Sequence, residues 1–156
     1  MTMIMSSVLK KYFETQGEGD IKEIPSSSAV SLRPLPKDPM DTVMENSISI
    51  AAYMLPLMHD PYSKAGLFVK NLQITRQLNL AKAGLIFMKS LFTRLSKEQI
   101  VNISYEGAKP FHLALSNVPG PKSPLFMNQK QVRDILFGVP NAGAVPLVIS
   151  VFTYNN

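Results

Sequence analysis

Four segments of strand character bracket one helical block, and that order limits the folds open to this chain. Residues 26–33 alternate Val30 and Leu32 with Ser31 and Arg33. Residues 47–58 carry a long apolar run, Ile48 to Met58, that reads as a buried strand. Pro56 falls near its end, where a strand tolerates proline. Residues 110–117 set Phe111, Leu113 and Leu115 against His112, Ala114 and Ser116, and 146–154 form the last strand. Between the second and third strands, residues 61–107 are helical in pattern. This order predicts an α+β or mixed α/β domain, with helices against one face of a mixed sheet.

The helical patterns are specific. Over 3–16, Ile4, Val8, Leu9, Tyr12 and Phe13 recur at helical spacing, until Gly17, Gly19 and Asp20 stop the pattern. Residues 34–41, with three prolines and two aspartates, read as a loop. Asp60 before Pro61 reads as the N-cap of a helix running through Leu67, Val69, Leu72 and Ile74. Over 79–96, Ala81, Leu85, Met88, Phe92 and Leu95 share one face, while Lys82, Lys89 and Thr93 share another. Ser96 is a candidate cap for a third, short helix. Leu125 to Met127 read as a short strand, and Gln129 to Phe137 fit either helix or irregular structure.

Composition excludes several classes. At 46 % apolar and 17 % charged residues, the 156-residue chain is globular in character and long enough to bury a core. It has no cysteine, so it has neither a disulfide framework nor a thiolate metal site. The charge of +5 carries no run of like charges and no basic-aromatic stripe, so nucleic acid is not an expected partner. The first residues lack a basic segment followed by an apolar one, so they do not form a signal peptide. No apolar stretch is long enough to span a bilayer.

Catalytic signals are sparse. No Walker, Rossmann or nucleophile-elbow pattern is present, and no metal-ligand spacing. The two histidines, His59 and His112, lie in a turn and on an alternating strand, neither with an obvious orienting partner. The polar strip of 79–96, with Lys82, Lys89 and Arg94, also fits a helix lying in a lipid interface. Packing on a sheet is the simpler reading of it.

The run Ser116-Asn117-Val118-Pro119-Gly120-Pro121 is different in kind. Two prolines fix φ and remove donors at 119 and 121, Pro119 biases Val118 to extended backbone, and Gly120 permits positive φ. Asn117 can bond backbone on either side through its amide. The result is one rigid exit from a strand, serving either as a structural turn or as a wall of a site.

This run, with Pro124-Leu125 behind it, resembles the Asn-Val-Pro-Gly-Pro motif of the wax ester synthase/diacylglycerol acyltransferase family. Further pieces follow in that family's order: Leu9-Lys10-Lys11-Tyr12, Val30-Ser31-Leu32-Arg33, Asn46, Leu55-Pro56, Asp60-Pro61, and a last strand ending in Thr153-Tyr154 where the family has Ser-Tyr. Glu45 stands where the family has glycine, and Gly143 sits about one residue early. The family's His-His-x-x-x-Asp-Gly motif has no counterpart here. The resemblance implies a C-terminal domain over 1–156, cut at both ends, forming half of a two-domain CoA-dependent acyltransferase (chloramphenicol-acetyltransferase-like) fold.

That family moves a fatty acyl group from acyl-CoA to diacylglycerol or a long-chain alcohol, making triacylglycerol or wax ester. The resemblance therefore implies acyl-CoA as substrate with no further cofactor, a lipid acceptor, and a separate N-terminal catalytic half as partner. It implies a cytoplasmic protein with peripheral contact to membrane or lipid droplets. Ser116, Asn117, Pro119, Gly120, Pro121 and Arg33 become the substrate-binding candidates, as tunnel wall or structural support, with no catalytic residue in this chain. The rival readings are a non-catalytic lipid- or protein-binding remnant and a peripheral membrane module.

Overall fold

The structure is a computed structural model that describes residues 1–33, 47–70, 80–139 and 143–155. The chain forms a mixed α+β arrangement. Helix α1 (Thr2–Thr15) leads into strand β1 (Glu23–Ser31), which pairs with β2 (Ile48–Pro56). Helical residues 65–70, helix α2 (Leu80–Phe92) and helix α3 (Lys97–Ala108) precede β3 (Leu113–Val118). Two short strands, β4 (Phe126–Met127) and β5 (Lys130–Gln131), form a hairpin before the closing strand β6 (Leu147–Phe152).

The main sheet runs β2-β1-β3-β6. β1 and β2 are antiparallel over nine paired positions, from Glu23↔Pro56 to Ser31↔Ile48. β1 and β3 are parallel over three, Ser26↔Leu113 to Ser28↔Leu115. β3 and β6 are parallel over six, Leu113↔Leu147 to Val118↔Phe152. The predicted mixed sheet is thus present. β1 begins at Glu23 rather than at residue 26, because Pro25 is harmless where it stands. Its carbonyl accepts from His112 N at 2.9 Å, so its nitrogen also faces the β3 side. β3 pairing starts only at Ser26, so no ladder bond is lost there.

The register divides the sheet into two faces. Leu55, Ile24, Leu113 and Ile149 share one, and they meet Leu9 of α1 and Phe68 in the core cluster. α2 covers the same face: a Cβ on Gly84 would lie 3.7 Å from Ser49 Oγ, and Ser49 shares the parity of Leu55. On the other face Ile48, Ile50 and Met54 are exposed.

α1 corrects the sequence reading of its face. Leu9 is buried and Phe13 packs against the core, but Ile4, Val8 and Tyr12 point outward. Ser6 decides the rotation. It is fully buried, donates to Pro56 O at 2.5 Å and accepts from Met58 N at 3.2 Å. Two β2-end backbone groups are satisfied only if Ser6 faces inward. The helix ends as predicted at Gly17 (φ 80°), with Glu18 N reaching back to Phe13 O at 2.8 Å.

Other boundaries shift for local reasons. Asp60 Oδ1 accepts from Tyr62 N and Ser63 N, which makes a turn, and helical residues begin only at 65. Leu72 and Ile74, and the predicted loop at 34–41, lie outside the described residues. Ser96 does cap α3, with a full capping box through Gln99, but the helix runs to twelve residues and buries none of them. The segment after Gln131 is irregular through Val139.

Candidate functional site

Strands β1, β3 and β6 run the same way, so their carboxyl ends form one rim. Ligands of open sheets bind at such a rim where neighbouring chain connections diverge. Here the sheet itself splits. The last three residues of β1, Ala29 to Ser31, pair only with β2, and the last three of β3, Ser116 to Val118, pair only with β6. Beyond that shared pairing the two strand ends are not paired with each other, and the gap between them is the candidate crevice. Exposed Arg33, which has its own contact, follows β1 on one lip. Asn117 to Pro121 form the other. Residues far apart in sequence are therefore brought to two sides of one opening.

The Pro-Gly-Pro segment is locked to the end of β6. Pro119 and Pro121 have no N–H, so Gly120 carries the tripeptide's one backbone donor, and it donates to Thr153 Oγ1 at 3.1 Å. Asn155 N donates in turn to Pro121 O at 2.9 Å. A Cβ on Gly120 would stand 1.8 Å from Thr153 O and 2.7 Å from Phe152 Cζ. Glycine is needed for this approach and not for φ: Gly17 and Gly143 are positive, Gly120 is not. This corrects the conformational reason given from the sequence. Thr153 supplies the hydroxyl that serine would bring, so that difference from the family pattern leaves the clasp intact.

Asn117 does not bond its neighbouring backbone. Its side chain is exposed and makes no hydrogen bond among the described residues. The prolines and the bonds to the tail of β6 fix the turn, which leaves this exposed amide available as a donor and acceptor. Ser116 lies half-buried on the opposite face, in register with Ser150.

Tyr154 performs a second fastening that the sequence did not announce. Its hydroxyl accepts from Leu125 N at 3.0 Å and donates to Val132 O at 2.7 Å. The β4–β5 hairpin is thereby pinned to the rim. Tyr154→Phe is expected to cost about 1 to 2 kcal/mol and to speed hydrogen exchange at the Leu125 amide, with the main sheet unchanged. Equal protection of that amide in both proteins would contradict the pin.

Both histidines sit at the opposite rim. His112 immediately precedes β3, and His59 follows β2, whose carboxyl end lies beside Glu23. His59 Nε2 is 2.9 Å from Glu14 Oε1, which ties α1 to the turn after β2. Five residue steps of extended chain separate His112 from Asn117, about 17 Å. Among the described residues, no group of three His, Asp or Glu side chains gathers in a metal-binding arrangement. The histidines of this chain lie too far from that end to act there as general base.

The described part of the chain is thus a helix-backed mixed sheet whose rim is fastened by the Pro119–Pro121 segment and the tail of β6. Residues 65–156 match the family model for the WS/DGAT C-terminal domain, and the chain belongs to that family of wax ester synthase/diacylglycerol acyltransferase C-terminal domains. No curated protein and no solved structure matches the chain.

Among the described residues, no helix is long and apolar enough to cross a membrane. On α2, Leu85, Met88 and Phe92 are half-buried, with Lys82 and Lys89 exposed, as expected for a helix packed on a sheet. Ile86 and Phe87 also point outward, which the sequence pattern did not single out.

Proposed function

We propose that this chain is the acceptor- and acyl-shaping half of a fatty acyl O-acyltransferase. It works against a catalytic half that bears the His-His-x-x-x-Asp-Gly motif, in a two-domain arrangement of the chloramphenicol-acetyltransferase type. The reaction transfers the acyl group of a fatty acyl-CoA to the hydroxyl of diacylglycerol or a long-chain alcohol. The histidine of the other half removes the hydroxyl proton as oxygen attacks the thioester carbonyl, and CoA leaves as the thiol. The observation that carries this reading is the family match over residues 65–156, which includes the clasped Asn117 to Pro121 loop at the crevice.

In this reading Arg33 and Asn117 meet substrate, and Ser116, Pro119, Gly120 and Pro121 form the wall and structural support behind them. Asn117 offers its amide to the ester or acceptor oxygen, while the Pro-Gly-Pro backbone holds the lip in place. Binding geometry of this kind affects rate through orientation, where small displacements are costly.

The test is ester formation from palmitoyl-CoA with hexadecanol or dioleoylglycerol. The chain alone is expected to give none. Combined with a separately expressed family half carrying the His-His-x-x-x-Asp-Gly motif, it is expected to restore turnover, with Asn117→Ala lowering it about tenfold or more. Turnover by this chain alone, or complementation that Asn117→Ala leaves untouched, would overturn the assignment of roles.

A further inference from the structure

We propose that the outer edge of β2 pairs with the same edge of a second copy of this chain, antiparallel about a two-fold axis at Ala51, and so joins the two sheets into one. The inference does not depend on acyl transfer. It starts from the hydrogen-bond parity of the strand. β2 is an edge of the main sheet. Leu32 N donates to Ser47 O at 2.9 Å and Leu57 N to Lys22 O at 2.7 Å, one bond at each end of the β1–β2 ladder. The register between them is unbroken, so the odd-numbered residues of β2 turn their N–H and C=O groups to β1. The even-numbered ones, Ile48, Ile50, Ala52, Met54 and Pro56, turn theirs away from the sheet.

One end of this edge is already closed. Ser6 Oγ donates to Pro56 O and accepts from Met58 N, and Pro56 has no N–H of its own. Nothing similar serves Ile48, Ile50, Ala52 or Met54, whose outward backbone groups have no partner among the described residues. The strand also lacks the devices that discourage edge pairing. From Ser47 to Met58 there is no charged residue, and β2 has no bulge and no proline before its last position.

Self-complementarity identifies the occupant. The open stretch runs from Ile48 to Met54, and its midpoint is Ala51. An antiparallel copy centred there sets Ile48 opposite Met54 of the second copy and Ile50 opposite its Ala52. Each such pair exchanges two N–H···O=C bonds. Every open group of the stretch is then satisfied in both chains at once, as a two-fold interface requires. Moving the axis to Ala52 instead sets Ile48 against Pro56, whose carbonyl Ser6 already holds. On the exposed face, Ile48 (49 % exposed), Ile50 (66 %) and Met54 (41 %) meet apolar side chains across the joint. At the axis Ala51 meets Ala51, and small side chains suit the close approach of a non-hydrogen-bonded pair.

An uncharged strand gives a foreign peptide no charge to be selected by, whereas a copy of the chain matches it at every rung. The joint is short beside a standard interface, which buries about 800 Å² on each partner. A dissociation constant of about 1 to 100 µM is therefore expected.

The experiment is sedimentation equilibrium of the full chain from about 1 to 200 µM, where a monomer–dimer equilibrium is expected. A52P removes an outward N–H and spares every β1–β2 bond; it is expected to weaken association about tenfold or more. I50K is expected to do the same by placing a charge at the joint. A29K is the control. Ala29 is exposed on the same face but lies on β1, inside the sheet, so association should stay within about twofold. Circular dichroism with a thermal melt checks that each variant folds. The chain has no cysteine, so a single introduced thiol reads the register. A51C is expected to form a disulfide-linked dimer under mild oxidation, because paired Cα atoms at the axis lie about 4.5 Å apart. A29C is expected not to. A monomer at every concentration overturns the proposal and leaves the edge to a strand of another protein. So does association that A52P and I50K leave untouched, or that A29K abolishes, because the contact would then run through the sheet face. A51C crosslinking no faster than A29C overturns the register.

Discussion

Gly120→Ala is expected to destabilise the chain by about 3 kcal/mol or more, seen as a lower urea midpoint. The added methyl carbon would have to occupy a point 1.8 Å from Thr153 O. That neighbour is backbone in the tail of a paired strand and cannot swing aside like a side-chain tip. The Phe152 ring, 2.7 Å from the same point and stacked on Phe137, blocks the second way out. The loop must lift off β6, which breaks the Gly120–Thr153 and Asn155–Pro121 hydrogen bonds together. Gly138→Ala is the control. A Cβ there meets nothing within 4 Å, so the midpoint should move by less than about 0.5 kcal/mol equivalent. Similar losses in the two variants would refute the clasp.

Leu113→Ala is expected to cost about 2 to 5 kcal/mol. Leu113 is 1 % exposed and stands where the two halves of the sheet join, opposite Ser26 on one side and Leu147 on the other. Its side chain packs in the cluster of Leu9, Ile24, Leu55, Leu57 and Phe68, which takes residues from α1, β1 and β2. Removing three carbons leaves a cavity bounded by several elements, which cannot all relax into it. Domains of this size are stable by about 5 to 15 kcal/mol in total, so the loss is a large share. The two substitutions should differ in kind. Leu113→Ala should raise hydrogen exchange throughout the sheet, whereas Gly120→Ala should raise it first at the rim. Protection of the β1 and β2 amides unchanged in Leu113→Ala would show that this side chain does not join the halves.

Much of the secondary structure was legible because it follows periodicity. The alternation in β3, the apolar runs of β2 and β6 and the Gly17 stop of α1 are local signals, and local geometry obeys them. Elements whose placement depends on distant partners were less legible. The rotation of α1 turns on Ser6, a small polar residue whose value lies in two backbone groups 50 and 52 residues away. The start of β1 at Glu23, ahead of Pro25, depends on where its neighbour β3 begins to pair. At the candidate site, the loop's rigidity was visible in its prolines. The reason for its glycine was not, because close approach to Thr153 is a tertiary fact. Tyr154 appeared as a landmark at the end of a strand, with nothing local to show that its hydroxyl holds a hairpin.

The uneven pairing of the sheet has a consequence for how the domain comes together. Two well-laced ribbons, β2–β1 with nine rungs and β3–β6 with six, meet along a seam of three. The β2–β1 ribbon needs only a short excursion of chain, whereas the first rung of the seam closes a loop from residue 26 to residue 113. Long closures are entropically dear and reward the chain only once several contacts form at once. The ribbons should therefore consolidate first and dock late. The crevice lies at the open end of that seam, so its two lips are made separately, and their spacing is set by a late docking step rather than by either ribbon alone.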